Sequence, residues 1–324
     1  MKYPIILLTL LIIPTLASAH TKWFAEGDLS PAITSEPLSL YLWLWAVLIA
    51  LVVGIGILVD RLKWAHLHFL SPNKPHVFER AASTFVMVCG AFFLIAGTHE
   101  YLFSPNQTVA SGIPMTLIAI QIAVGLAFLL GIASRVSGIV LALLWGLAIP
   151  YTGLEAALEN IWVLSTAIFI TLMGNEYFSI VSFSALRSLV APYKKYALSI
   201  LRLGTGVTLM VLGLSEKILA AEYGLNFLHH HQWNFMSALG FPFSDYLFTI
   251  SAGATEFLFG LIFVLGIVTR LNALVVAVVF SIPLFILGPI ELAGHLPHFA
   301  AIVLLLLFGN GGHFTLFTKD RGRA

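Results

Sequence analysis

Long apolar runs recur along almost the whole chain, and they limit the possible fold more than any other feature. The 324 residues are 59% hydrophobic and only 10% charged, which is unlike a soluble globular protein. Roughly 20 apolar residues in a helix cross a bilayer, and runs of about this length predict an all-α, multi-pass membrane protein in contact with the lipid bilayer. The predicted spans are 39–60, 81–103, 112–133, 137–152, 159–174, 197–215, 244–267, 272–289 and 296–309.

The N-terminus has the three parts of a secretory signal. Lys2 supplies a positive charge, residues 3–16 form a short apolar run, and Ala17 and Ala19 are small residues suited to a cleavage site. We therefore expect a signal peptide at 1–19, a mature chain that begins at His20, and a periplasmic segment at 20–38. An uncleaved signal anchor is the alternative interpretation.

The positions of Lys and Arg predict the orientation, because basic loops are retained on the cytoplasmic side during insertion. Of the 16 basic residues, Lys2 belongs to the signal, and Lys22 and Lys217 fall on the outer face of a nine-span topology. The others share the inner face: Arg61, Lys63, Lys74, Arg80, Arg135, Arg187, Lys194, Lys195, Arg202, Arg270, Lys319, Arg321 and Arg323. We expect a periplasmic N-terminus and a cytoplasmic tail at 317–324.

The chain repeats itself at an offset of 135 residues. The segment "GLAFLLGIASRV" at 125–136 matches "GLIFVLGIVTRL" at 260–271 at seven of twelve positions, and Gly174-Asn175 recurs as Gly309-Asn310. Four predicted spans separate the copies, so both copies have the same orientation in the membrane. We predict two parallel four-helix bundles, at 80–180 and 196–316, preceded by one extra transmembrane helix at 39–60.

Glu256 is the acid placed most deeply in a predicted span. An ionised carboxylate at the centre of a span costs about 2.5–3.5 kcal/mol, so it should face a partner or a cavity. The aligned residue of the first repeat is Gln121, which cannot ionise. We interpret Glu256 as a group that accepts or relays protons; the alternative is a protonated carboxyl that hydrogen-bonds a neighbouring helix.

His295 and His298 are three residues apart, so they share one helix face at the predicted outer end of the last span. Paired imidazoles can exchange protons with a quinol or bind a metal. Their counterparts in the first repeat are Asn160 and Val163, neither of which titrates. The alternative is that both histidines are polar anchors at the membrane surface.

Other histidines predict a metal site on the same face. A mature N-terminus at His20 would offer an amine and an imidazole side by side, which suits copper. His229, His230 and His231 lie in the longest predicted outer loop and could collect copper or zinc. That loop is equally consistent with a hydrated interfacial segment anchored by Trp233.

The second repeat resembles the DoxX family of four-helix membrane proteins. The matching residues are Arg202, "GLSEKIL" at 213–219, "TEFLFGLIFVLGIVTRLNAL" at 255–274 with Glu256, and the closing "LLLLFGNGGHFTL" at 304–316. The first repeat is similar more faintly, and it has Gln121 at the position of Glu256 and Tyr101 at the position of Lys217.

The resemblance implies a bacterial inner membrane protein and a link to redox chemistry, because members are similar to subunits of thiosulfate:quinone oxidoreductase. The first hypothesis is a redox-associated subunit that binds a quinone or a similar small molecule, with redox partner subunits and no nucleic acid. Glu256, His295 and His298 would exchange protons, while Arg202, Glu216 and Lys217 would line the binding site. A periplasmic copper- or zinc-handling protein and a non-catalytic membrane scaffold are the alternatives.

Overall fold

The apolar runs form helices, since in hydrocarbon every backbone N–H and C=O group must find its partner within the protein. The structure, a computed structural model, describes residues 38–64, 67–72, 74, 76–287 and 289–317. The predicted signal peptide, the periplasmic segment with His20, and the tail beyond residue 317 lie outside the described residues.

The helices are numbered here in chain order. They are α1 Leu38–Arg61, α2 Val77–Thr98, α3 Met115–Leu130, α4 Ser134–Glu159, α5 Ile161–Met173, α6 Ser184–Val190, α7 Ala197–Leu212, α8 Ala221–His231, α9 Phe235–Ala238, α10 Asp245–Leu265, α11 Thr269–Leu287 and α12 Pro289–Phe308. A π-helix at Gly213–Leu219 continues α7, and short 3-10 helices lie at His68–Leu70 and Ala191–Tyr196.

The multi-pass prediction is confirmed. In the described part of the chain, five helical segments are long and apolar enough to cross a membrane: Leu40–Arg61, Val77–Thr98, Ser134–Glu159, Ser184–Leu219 and Asp245–Leu265. Shorter apolar helices lie at Met115–Leu130, Ile161–Met173, Thr269–Ile282 and Gly294–Phe308. Every predicted span overlaps one of these helices, and the count of nine stays a prediction.

The helices pack in two groups that share a core. In the first group α2 packs against α3 and α4 against α5; in the second, α7 packs against α10 and α11 against α12. Contacts of α5 with α7 and of α2 with α12 join the groups, and one buried cluster includes Phe93 and Phe128 together with Phe263 and Leu305. Because the core runs through both groups, this packing does not confirm two separate bundles.

Glycines allow the closest helix pairs to form. A Cβ on Gly90 of α2 would lie 2.8 Å from the backbone oxygen of Gly125 on α3, and one on Gly206 of α7 would lie 2.7 Å from that of Gly260 on α10. Lipid provides no hydrophobic drive for helices to associate, so close backbone packing at small residues supplies much of the attraction. Both groups therefore contain one tightly packed pair of helices.

The extra helix α1 packs on the second group, where it is held at both ends. The indole Nε1 of Trp45 donates to Ser251 Oγ on α10 at 3.2 Å. At the other end, Asp60 Oδ1 accepts a hydrogen bond from the backbone N–H of Val268 at 2.8 Å. These contacts anchor α1 to α10 and to the turn that follows it.

A break inside α4 explains why its predicted span was too short. Pro150 lies within the helix, and Gly153 has non-helical dihedrals of φ 82° and ψ 166°. The prediction of 137–152 stops at this break, whereas the helix resumes and continues to Glu159. Proline removes a helical hydrogen bond, so the helix kinks at this point. The apolar pattern of the sequence weakens at the same place.

Candidate functional site

An ion pair lies inside the second group of helices. Lys217 Nζ donates to Glu256 Oε2 at 2.8 Å, and the two side chains are only 13% and 21% exposed. Lys217 is on the π-helix, and a Cβ added to the facing Gly253 would lie 2.7 Å from its own Cβ. Single π-turns within longer helices often occur at functional sites. The predicted deep carboxylate therefore has a cationic partner, which lowers the cost of placing either charge in a membrane.

Two further carboxyl groups are buried near this π-helix. Glu216, the neighbour of Lys217, is 1% exposed. Glu159, at the end of α4, is 5% exposed and accepts a hydrogen bond from Ser215 Oγ at 2.9 Å. Buried acids are rare unless they are paired, so their concentration here distinguishes this region from the rest of the core. We call Glu159, Ser215, Glu216, Lys217 and Glu256 the polar cluster.

In the first group, Gln121, the residue that the predicted repeat aligns with Glu256, makes neutral contacts. Gln121 is fully buried, and its Oε1 accepts from the backbone N–H of Phe103 at 3.1 Å. Its Nε2 donates to the backbone oxygen of Tyr101 at 3.0 Å. The amide thus binds two backbone groups of one connecting segment and carries no charge. Glu256 and Lys217 instead form an ion pair, and both side chains can exchange protons.

The histidines of α12 are buried among aromatic rings. His298 is 7% exposed, its ring centre is 5.9 Å from that of His295 and 4.9 Å from that of Trp162, and Trp162 stacks on Phe93. Neither ring nitrogen of His298 has a hydrogen-bond partner among the described residues. A buried polar group without a partner is uncommon and calls for an explanation such as a bound molecule.

The junction of α4 and α5 connects the histidines to the polar cluster. Glu159 reaches Ser215, and three residues later Trp162 contacts His298. The backbone N–H of Trp162 donates to Thr208 Oγ1 at 3.1 Å, which holds the junction against α7. The junction belongs to the first group of helices, and the side chains that it contacts belong to the second group. The candidate site therefore lies between the two groups of helices.

The sequence interpretation missed Trp162 and Ser215 as site residues. Trp162 lies two residues after the polar pair Glu159-Asn160 at the start of a predicted span, and this is the signal that could have found it. Ser215 lies inside the "GLSEKIL" segment, next to two residues that were predicted for the site. Each of these two side chains belongs to the candidate site because it contacts a helix that is distant in sequence.

Arg202 lies elsewhere. Its buried guanidinium donates to the backbone oxygens of Val264 at 2.9 Å, Asn310 at 3.1 Å and Phe314 at 2.6 Å, and also to those of Phe263 and His313. It is 15 residues before Lys217 on one continuous helix, about 22 Å along the axis. The structure therefore does not bring Arg202 and Lys217 together, and the donors of Arg202 hold the segment after α12.

The predicted metal ligands are spread over separate elements. His229, His230 and His231 are exposed at the end of α8, where the ring of His231 packs 4.6 Å from Phe227. Among the described residues, no group of three or more His, Cys, Asp or Glu side chains is arranged to hold a metal ion. His20 lies outside the described residues, and the copper or zinc site stays a prediction.

Comparison with protein families matches residues 197–289 to the DoxX family. The matched range contains α7, the π-helix and α10, and with them Arg202, Glu216, Lys217 and Glu256. No curated protein and no solved structure matches the chain. The resemblance inferred for the second repeat is confirmed: the chain is a multi-pass membrane protein with a DoxX family domain at residues 197–289.

Proposed function

We propose that this protein is a redox-associated membrane subunit that binds a quinone, or a similar small aromatic molecule, between its two groups of helices. The observation that carries the proposal is the buried imidazole of His298, which lies next to the ring of Trp162. Neither of its ring nitrogens has a hydrogen-bond partner among the described residues. A quinone carbonyl would accept a hydrogen bond from that imidazole. The quinone ring would meanwhile pack on aromatic side chains, as ligands in apolar pockets do.

The polar cluster supplies the proton chemistry that such a ligand needs. Oxidation of a quinol to a quinone releases two protons and two electrons. In this proposal Glu256 accepts a proton, and its ion pair with Lys217 breaks. His295 and His298 transfer protons at the periplasmic end of the site. The electrons go to a redox partner subunit, because the single cysteine, Cys89, is buried in the core and forms no dithiol.

The proposal includes two parallel repeats in a bacterial inner membrane, with nine spans, a periplasmic N-terminus and a cytoplasmic C-terminus. Backbone features at the offset of 135 residues support the repeat. Gly131 and Gly266 both end a helix in the left-handed conformation, with φ of 64° and 68°. Two residues later, Ala133 and Val268 both have positive φ, of 48° and 37°, which is rare outside glycine.

Side-chain contacts at nearly the same offset support the repeat further. Arg135 donates to the backbone oxygen of Met173 at 2.8 Å, and Arg270 donates to that of Leu307 at 3.1 Å. In each case an arginine at the start of one helix binds a carbonyl at the end of the next. Because the last carbonyl oxygens of a helix have no N–H donor within their own helix, an arginine supplies the missing donor in both cases.

The test is quinone binding to the purified protein in lipid nanodiscs, measured with a short-chain ubiquinone. Replacement His298→Ala should weaken binding about tenfold, since a buried hydrogen bond contributes roughly 1.5 kcal/mol. The matched control is His229→Ala, which removes an exposed imidazole from α8. If His298→Ala binds the quinone as tightly as the wild type, the proposed site is wrong.

A further inference from the structure

A polar cavity lies at the end of the first group of helices that is remote from Glu159. It is lined by the first turn of α4, by the segment 174–183 and by Arg187. Ser134 and Glu159 are at opposite ends of α4, so this cavity is separate from the polar cluster. Its residues take no part in the proposed quinone chemistry.

The cavity has a surplus of positive charge. One oxygen of Glu176, Oε1, receives Lys194 Nζ at 2.8 Å, Arg187 Nε at 3.3 Å and the guanidinium of Arg135. Three cations therefore share a single carboxylate, which leaves two positive charges without a balancing anion within this group. Arg187 is 59% exposed, so its remaining donors face accessible space.

The first turn of α4 has donors that suit an anion. Ser134 is 5% exposed and lines the cavity, and its hydroxyl has no hydrogen-bond partner among the described residues. Nε of Arg135 is likewise buried without a partner. The first N–H groups of a helix have no acceptor within the helix, and the helix dipole favours negative charge there. A phosphate oxygen would satisfy this set of donors.

Exposed apolar side chains lie on the chain segment that borders the cavity. Ile180, Phe183, Leu189 and Tyr193 are all more than half exposed. They lie on the segment that contains α6 and the following 3-10 helix, interspersed with Arg187 and Lys194. A segment with apolar and basic residues together is typical of the boundary between lipid headgroups and acyl chains. A phosphate at this depth belongs to a lipid more readily than to free solution.

We propose that this cavity binds the phosphate group of an anionic phospholipid. Ser134 and the start of α4 bind the phosphate oxygens, Arg135 and Arg187 balance the charge, and the exposed apolar residues contact the acyl chains. The lipid thereby ties the segment 174–196 to the membrane surface.

The experiment measures lipid retention by native mass spectrometry, with the protein purified into phosphatidylcholine that contains phosphatidylglycerol. The wild type should retain phosphatidylglycerol through delipidation. Arg187→Ala should retain about fivefold less, because one basic residue contributes about that factor to binding an anionic surface. Arg61→Ala is the matched control: it removes an arginine from the end of α1, where the guanidinium lies 4.6 Å from the ring of Phe317.

Ser134→Ala separates a binding role from a structural one. In phosphatidylcholine alone this variant should be as stable as the wild type, because its hydroxyl has no partner to lose. With phosphatidylglycerol it should lose the thermal stabilisation that the wild type gains. Equal retention by the wild type, Arg187→Ala and Ser134→Ala overturns the proposal.

The source of the phosphate is tested separately. Excess inorganic phosphate in phosphatidylcholine should leave the melting temperature of the wild type unchanged. If inorganic phosphate stabilises the wild type as much as phosphatidylglycerol does, and both variants lose that effect, the site binds a free anion and the lipid assignment is overturned.

Discussion

Glu256 and Gln121 are partly and fully buried polar side chains, respectively, whose hydrogen-bonding needs are met in different ways. In the first group the amide of Gln121 connects the backbones of Phe103 and Tyr101, and no charge is involved. In the second group Glu256 pairs with Lys217, whose ammonium group lies 2.8 Å away. A carboxylate in place of an amide requires a cation nearby, because an isolated ion in a low-dielectric region is costly.

Replacement Glu256→Gln should abolish proton-coupled turnover while the protein still folds. The amide can accept a hydrogen bond from Lys217 but cannot take a proton, so quinol-linked proton release should fall by about a hundredfold. The measurement is proton release on addition of a quinol to native membrane vesicles that retain the redox partner subunit as electron acceptor, followed with a pH-sensitive dye. Glu222→Gln on α8 removes a carboxyl outside the polar cluster and should behave as the wild type. Wild-type activity in Glu256→Gln would refute the assigned role.

Acid should weaken the contacts around Glu176. Burial raises the pKa of Glu176, but hydrogen bonds and charge from Lys194 and Arg135 outweigh it, so the pKa lies below the ordinary 4.5. A lowered folded-state pKa gives stability that is present above 4.5 and is lost as the pH falls through the folded-state value. Thermal stability of the wild type should therefore fall between about pH 5 and pH 3.

The comparison for this prediction is Glu176→Gln, which has no charge to lose. It should be less stable than the wild type at neutral pH, and the difference should shrink as the pH falls. Glu222→Gln controls for general acid effects and should follow the wild type. A constant difference between wild type and Glu176→Gln across this range would exclude ionisation as the cause.

The position of Glu256 in its span predicted a contact that the structure has, whereas the sequence did not predict the contacts of Arg202. Glu256 was predicted to need a partner, and it has one in Lys217. Arg202 was grouped with Lys217 because both belong to the motif of the family, yet its donors bind carbonyl oxygens about 22 Å away along the helix. A basic residue near a span looks the same in sequence whether it binds a ligand or a backbone carbonyl.

At the scale of elements, the π-helix and its facing glycines bring the ion pair together. A Cβ on Gly253 would lie 2.6 Å from the backbone oxygen of Gly213 and 2.7 Å from the Cβ of Lys217. The close approach of α10 and the π-helix therefore requires glycine at both positions. The distance between Lys217 and Glu256 depends on that approach.

Gly253→Ala should destabilise the protein by about 1–3 kcal/mol, the range for overpacking a close-packed interior. It should also lower quinol-linked activity, because the π-helix and α10 would move apart. The control is Gly146→Ala on α4, where an added Cβ meets nothing within 4 Å. That variant should be neutral or more stable, since alanine favours helix over glycine. The same direction of change in both variants would contradict the packing argument.

At the scale of the whole molecule, the described residues fold as a multi-pass helical protein whose two groups of helices share a core. The candidate site uses α4 and α5 from one group and α7, α10 and α12 from the other. The proposed quinone site and the proposed lipid site lie at opposite ends of α4. A quinone at the proposed site would depend on contacts with both groups, whereas the lipid cavity is lined by the first group and by the segment that follows it.

The predicted orientation can be tested with reporter fusions. Alkaline phosphatase, which is active only in the periplasm, should be active when fused after residue 238 and inactive when fused after residue 193. A fluorescent protein that matures only in the cytoplasm should give the opposite pattern and serves as the control. Active phosphatase at residue 193 would reverse the topology and place the lipid cavity in the outer leaflet.

The segments that form helices, and the positions of polar groups along them, can be predicted from the sequence, because the cost of placing a residue in lipid is local and additive to a good approximation. The contacts of Lys217 with Glu256, of His298 with Trp162 and of Arg202 with backbone oxygens depend on how the helices pack in three dimensions. A helix that is apolar on all sides has no face that marks its rotation. Its partners are selected by close packing and by the few polar contacts between helices, which no segment contains alone.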